Sequence, residues 1–189
     1  KLYNAFLPQY IDPTSAHSLH SLNVLCVRLV FCLYSEDAGL FGTNHSAFYD
    51  YMKSSNDVRQ MRKDLIDLFK VLDTDIPNRD QYDERTKHFP YVNGGLFHDD
   101  TPIEIPNFTQ EIADLLLEDC SAGFDWSRIS PTIFGAVFES TLNPETRRTE
   151  AMHYTSLENI HKVIDPLFLD DLKAELEQIK KISAKKTRK

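Results

Sequence analysis

The sequence predicts a mainly α-helical fold, an irregular helical bundle with a small β-hairpin or glycine-rich loop around residues 89–106. Three observations carry this. Val58, Met61, Leu65, Leu68, Phe69 and Leu72 recur at the spacing of one face of an amphipathic helix. Leu19, Leu22, Leu25, Leu29 and Leu33, with Val24, Val27, Val30 and Phe31 on the other faces, form a run that is apolar nearly all round, as a core helix is. Residues that start and stop helices bracket these runs and the ones that follow.

Taken in order, Ser15 is positioned to cap the apolar helix, and Gly39 and Gly42 supply the positive φ that ends it. Asn44 to Lys53 reads as a short helix using Phe48, Tyr51 and Met52, and Asn56 is placed to cap the amphipathic helix after it. Asp73 to Lys87 is polar, carries Pro77 and reads as a surface loop. Pro90 and Gly94–Gly95 within Phe89–Phe97, with Ile103–Ile105 between Pro102 and Pro106, suggest two short strands or a glycine-rich loop on the helices. Thr109 opens a helix with Ile112, Leu115, Leu116 and Leu117 inward, and Gly123 closes it. Ser130–Pro131 pairs a cap with proline at the first helical position, predicting a helix over Pro131–Leu142 that Asn143–Pro144 stops. Thr155-x-x-Glu158 is a capping box ahead of Ile160, Val163 and Ile164. Pro166 starts or kinks a further helix, amphipathic over residues 167–182 through Leu169, Leu172, Leu176 and Ile179.

The chain has 189 residues, 41% hydrophobic and 26% charged, which fits a globular domain and excludes disordered, collagen-like and disulfide-dense classes. The net charge is −8, yet Lys180–Lys189 holds six Lys/Arg and no acid, which leaves −14 on residues 1–179. Such a body repels a polyanion, so DNA binding by this segment alone is expected to be weak. The first residue is Lys1 rather than Met, as expected of an excised segment. The apolar stretch Leu22–Tyr34 contains Arg28 and falls short of the roughly 20 residues a bilayer needs, so no membrane span is expected. Three cysteines without a C-x-x-C pair fit reduced thiols and a cytoplasmic setting.

Motifs for chemistry are sparse. His98-Asp99-Asp100 offers metal-ligating groups, but too few; a metal-dependent hydrolase centred there is one alternative and a solvated turn the simpler one. Asp73-Thr74-Asp75 with Asp80, Asp83 and Glu84 lacks the glycine and closing glutamate of a calcium loop. Asp171-x-Lys173 resembles a nuclease fragment but puts the two groups on different sides of a helix. No phosphate loop, dinucleotide fingerprint or nucleophile elbow occurs. Met152-His153-Tyr154-Thr155-Ser156 places a π-face, a hydroxyl and free backbone N–H groups at one helix start. As geometry it is a capping box with Tyr154 as a staple; as chemistry it could receive a nucleoside or a carboxylate.

The stretch SRISPTIFGAVFESTLNPETRRTEAMHYTSLENIHKVIDPLFLDDL resembles the segment preceding the cofactor domain of MmeI-like restriction–modification enzymes, which are also N6-adenine DNA methyltransferases. LNVLCVRLVFCLYSEDAGLF, LIDLFKVLDT and FPYVNGGLF resemble their helical spacer. The resemblance runs from about Leu19 to the tail. It implies a spacer over residues 1–150, the start of a methyltransferase region over 151–182 and a basic linker over 183–189. It further implies that His153, Tyr154 and Thr155 form one edge of an S-adenosylmethionine pocket, matching a Tyr-Thr-Pro-type motif with Ser156 where proline is common. The family's DPACGSG-like turn and NPP[YF] motif, which holds a flipped adenine, do not occur here. The chain is therefore expected to be non-catalytic, to act with the nuclease and methyltransferase parts of its parent, and to meet DNA through that parent. Mg²⁺ is implied only where a nuclease lies upstream. The alternative is a stand-alone helical protein-interaction module.

Overall fold

The computed structural model describes residues 1–80, 82–92, 95–98, 102–130, 133 and 157–186. It divides into two compact units, Lys1–Ser130 and Pro131–Lys189. The described residues are mainly helical and include no strand.

In the first unit, α1 (Leu2–Phe6) runs into a 3-10 turn at Leu7–Gln9. The long helix α2 (Ala16–Asp37) starts where Ser15 accepts a hydrogen bond from the Ser18 amide at 3.0 Å. Gly39, at φ 72°, follows its C-cap. By length and composition alone α2 could cross a membrane, but Leu22, Leu25, Leu29, Cys32 and Leu33 are buried in the protein core. A short helix, α3 (Ala47–Lys53), and the amphipathic α4 (Val58–Asp73) pack against each other. The cap of α4 is Asp57, not Asn56: the Asp57 carboxylate takes the Gln60 amide at 2.8 Å. Two neighbouring residues can both cap, and the reach of the side chain selects between them.

Thr109 caps α5 (Gln110–Asp114), which continues as a π-helical stretch, Leu115–Ala122, to Gly123. A Cβ at Gly123 would lie 2.5 Å from the Glu118 carbonyl, so only glycine fits this exit. The core joins α1 to α5 through Phe6, Leu22, Leu29, Phe48, Leu65, Leu68, Phe89, Phe108 and Leu116. Phe89 sits edge-on to both Phe41 and Tyr51.

The described residues of the segment around 89–106 include no strand, so they do not form the hairpin that was one of the two forms expected. Side chains take the backbone groups that a ladder would have used. Arg28 donates to the Leu96 carbonyl at 2.8 Å, Tyr10 to the Glu104 carbonyl at 3.0 Å, and Ser21 accepts from the Glu104 amide at 3.0 Å. Arg62 Nε reaches the carbonyls of Ile105 and Pro106. Pro90, Pro102 and Pro106 have no N–H to give a ladder.

A second polar tie joins α3, α4 and the polar loop. Arg85 forks onto Asp64 with both nitrogens at 3.1 Å while lying over the Tyr51 ring. Burial alone would raise the Asp64 pKa; Arg85, Ser55 and Gln60 outweigh it and hold the carboxyl below its ordinary value. A depressed carboxylate contributes stability above its unfolded pKa and loses it as pH falls through the folded one. Asp64→Asn should therefore cost about 1–2 kcal/mol at neutral pH, since Arg85 stays half in water. In urea titrations the variant should also lose less stability than the parent below about pH 4.

In the second unit, α6 (Leu157–Ile164) passes through a π-helical stretch at Asp165–Leu169, containing Pro166, into α7 (Asp170–Lys186). His161 contacts Asp165 at 2.9 Å across one turn. Leu172, Leu176 and Ile179 are each more than half exposed. Of the helix predicted over Pro131–Leu142 only Ile133 is described, and the capping threonine Thr155 lies outside the described residues.

Candidate functional site

Of the residues singled out for chemistry, His153, Tyr154 and Thr155 lie outside the described residues, as do Asp99 and Asp100. His98 is described and contacts Asp73 at 3.2 Å. Among the described residues no group of three His, Cys, Asp or Glu is placed to hold a metal. The acids of the polar loop serve turns: Asp80 accepts from the Tyr82 amide and Asp83 from the Arg85 amide. Lys173 lies 3.8 Å from Asp170 and 4.0 Å from Asp165, an exposed cluster of helix charges.

The cysteines are all free. Burial pushes the Cys26 thiol up to about 11, with Cys120 adding to the effect, and raises Cys32 and Cys120 as well. Thiols held this way stay protonated at neutral pH and are poor nucleophiles.

Sequence reasoning missed the charged groups inside the core. Arg28 is only 2% exposed, and its guanidinium lies 5.4 Å from the Phe69 ring centre and 5.6 Å from that of Phe97. Glu36, also buried, accepts from the Tyr49 amide at 2.8 Å and from Ser121 at 3.0 Å. The one signal available was a charge placed mid-run in an apolar helix.

Two of the clefts on the first unit have largely apolar walls. One, of about 560 Å³, is apolar, with Cys26, Val30, Leu115, Phe124, Trp126 and Ile129 in its walls. Trp126 is fixed there by bonds to Asp37 and the Cys120 carbonyl, both 2.7 Å. The other, of about 470 Å³, lies between α4 and the 89–106 loop, walled by Arg62, Phe69, Lys70, Phe97 and His98. The second also carries Asp73 beside His98, an exposed pair with no third ligating group among the described residues, and the first carries the Cys26 and Cys120 thiols, which burial keeps protonated.

The MmeI helicase spacer domain matches residues 20–97. This span of the chain is therefore similar to the MmeI spacer domain. The matched span begins in α2 and closes at Phe97, the ring on which Arg28 stacks. Arg28, about two turns of α2 into the span, thus packs against the residue that closes it. The solved type IIL restriction–modification enzyme MmeI, in complex with DNA, is 37% identical; it covers 95% of this chain with a TM-score of 0.58. DNA methyltransferase A of Bacillus subtilis (strain 168) is 39% identical over 153 residues, 80% of the chain. This chain spans 17% of that methyltransferase and 23% of the solved MmeI chain.

Proposed function

We propose that this chain is the non-catalytic helical spacer of a DNA adenine methyltransferase of restriction–modification type. The parent enzyme transfers a methyl group from S-adenosylmethionine to adenine N6 in the cytoplasm. Residues 1–150 space its nuclease and methyltransferase parts, residues 151–182 begin the methyltransferase region, and 183–189 form a basic connector. Mg²⁺ belongs to the nuclease where one lies upstream. The observation that carries this reading is the family span itself. It coincides with a framework pinned by Arg28 and Asp64, which suits a part that fixes distances.

The test is methyl transfer. The intact protein that contains this chain should place label from S-adenosylmethionine on adenine N6 of duplex DNA, and residues 1–189 alone should place none. Transfer by the segment alone, or none by the intact protein, would overturn the reading.

Within it, Tyr154 offers its ring to the cofactor and Thr155 a hydroxyl beside it, with His153 completing the edge. Stacking of this kind is worth about 1–1.5 kcal/mol, so Tyr154→Ala should weaken S-adenosylmethionine binding by the intact protein roughly tenfold. Calorimetry that gave an unchanged Kd would remove these residues from the pocket.

A further inference from the structure

The spacer role leaves the outer face of α4 unexplained. Arg59, Lys63 and Lys70 fall within about 40° of one another around the helix axis and extend over about 16 Å. They lie opposite the buried Met61, Leu65, Leu68 and Leu72. All three are exposed. Among the described residues Arg59 and Lys63 have no ion pair, and Lys70 has only a solvated one to Asp67 at 3.3 Å. The position of Arg59 works against the helix: the first turn of α4 holds no acid, and a cation there opposes the helix dipole. Stability alone would select the opposite charge.

Arg62 flanks this stripe and is already held in place. Its Nε bonds to the Ile105 and Pro106 carbonyls at 2.8 and 3.1 Å. Its Nη donors have no partner among the described residues, and it walls the 470 Å³ cleft beside Lys70 and His98. Of the nearby acids, Asp73 is engaged by His98, Asp67 by Lys70, and Glu104, in the wall of the same cleft, by the Ser18 hydroxyl at 3.4 Å. A fixed guanidinium fork beside a row of cations suits repeated anions with paired oxygens. A duplex strand carries one phosphate per roughly 3.4 Å of helix axis, so a 16 Å stripe matches several.

We propose that this face of α4 is a contact surface for the phosphate backbone of duplex DNA, with Arg62 as its fixed point. The inference goes beyond the spacer reading, because it puts the spacer itself on the DNA. The surrounding acidic body keeps the contact weak on its own, so it acts when the rest of the enzyme holds the duplex. No group here is placed to distinguish bases, and the contact is independent of sequence.

The test uses the intact protein and a fluorescent duplex of arbitrary sequence, with binding followed by anisotropy between about 50 and 200 mM salt. Each lost phosphate contact flattens the dependence of log K on log salt by about 0.9. The combined variant Arg59→Ala, Lys63→Ala, Lys70→Ala should therefore flatten it by about two to three and lower affinity at least roughly tenfold. Losing Arg59 relieves the helix dipole while losing Lys70 removes a favourable last-turn cation and its Asp67 pair, so the thermal midpoint should be little changed. Asp67→Asn should tighten binding. An unchanged salt slope, or an affinity loss accompanied by a lower thermal midpoint, would overturn the proposal. So would selective displacement of the duplex by inorganic phosphate at matched ionic strength, which would mark a free-anion site. Adenine methylation by the intact protein tests the spacer reading separately, so failure here leaves that reading standing.

Discussion

Arg28→Ala should destabilise the first unit by about 3–4 kcal/mol, read as a shift of the urea midpoint. The side chain is among the largest that are fully buried, so truncation leaves a cavity between α2, α4 and the loop. Removal also takes the donor from the Leu96 carbonyl and the cation from between two aromatic rings. Arg28→Met separates these effects. It keeps most of the volume, loses the hydrogen bond and the cation, and should cost about half as much. If alanine and methionine cost the same, packing contributes little and the loop is held by the polar contact alone. If alanine costs less than about 1 kcal/mol, the bonds from Tyr10, Ser21 and Arg62 hold the segment without Arg28.

That contact also marks where sequence reading ends. The helices were legible because periodicity records burial: the α4 repeat names its buried residues, and Ser15 and Thr109 cap the helices they were expected to cap. Arg28 reads in sequence only as an interruption of an apolar run. Its partners Phe69, Leu96 and Phe97 are far along the chain, and no local pattern announces them. The 89–106 loop was ambiguous for the same reason. Prolines and β-branched residues fit either form, and donors from α2 and α4 decide it. The helix at Leu2–Phe6 is too short to show a period, and the π-helical stretch at Leu115–Ala122 leaves the apolar pattern of its helix almost unchanged. For the proposed cofactor edge at His153, Tyr154 and Thr155, family resemblance alone points to a ligand, since a capping box looks the same with or without one.

Glu36→Ala should cost about 2–3 kcal/mol, and it tests the other buried charge. The carboxylate joins the end of α2 to the start of α3 through the Tyr49 amide and to the π-helical stretch through Ser121. Alanine leaves both donors without their acceptor and opens a gap beneath a surface cleft that Glu36, Tyr49 and Ser121 line. Glu36→Gln retains an acceptor and most of the volume and should cost less than half as much. Burial is the main effect on the carboxyl and raises its pKa above the ordinary 4.5, with Asp37 adding to it and the bonds from Tyr49, Ser121 and Phe48 opposing it. A raised folded pKa means stability that is fully present below the unfolded value and is lost as pH rises through the folded one. Asp64 has the opposite sign, losing its contribution as pH falls below about 4. As pH drops from 7 toward 4.5, Glu36 should therefore raise the urea midpoint of the parent before the Asp64 loss sets in. Glu36→Gln should lack the first rise and keep the later fall. A variant that still gained stability between pH 7 and 4.5 as the parent does would show that some other group titrates there. Glu36 would then be only a neutral-pH cap on α3.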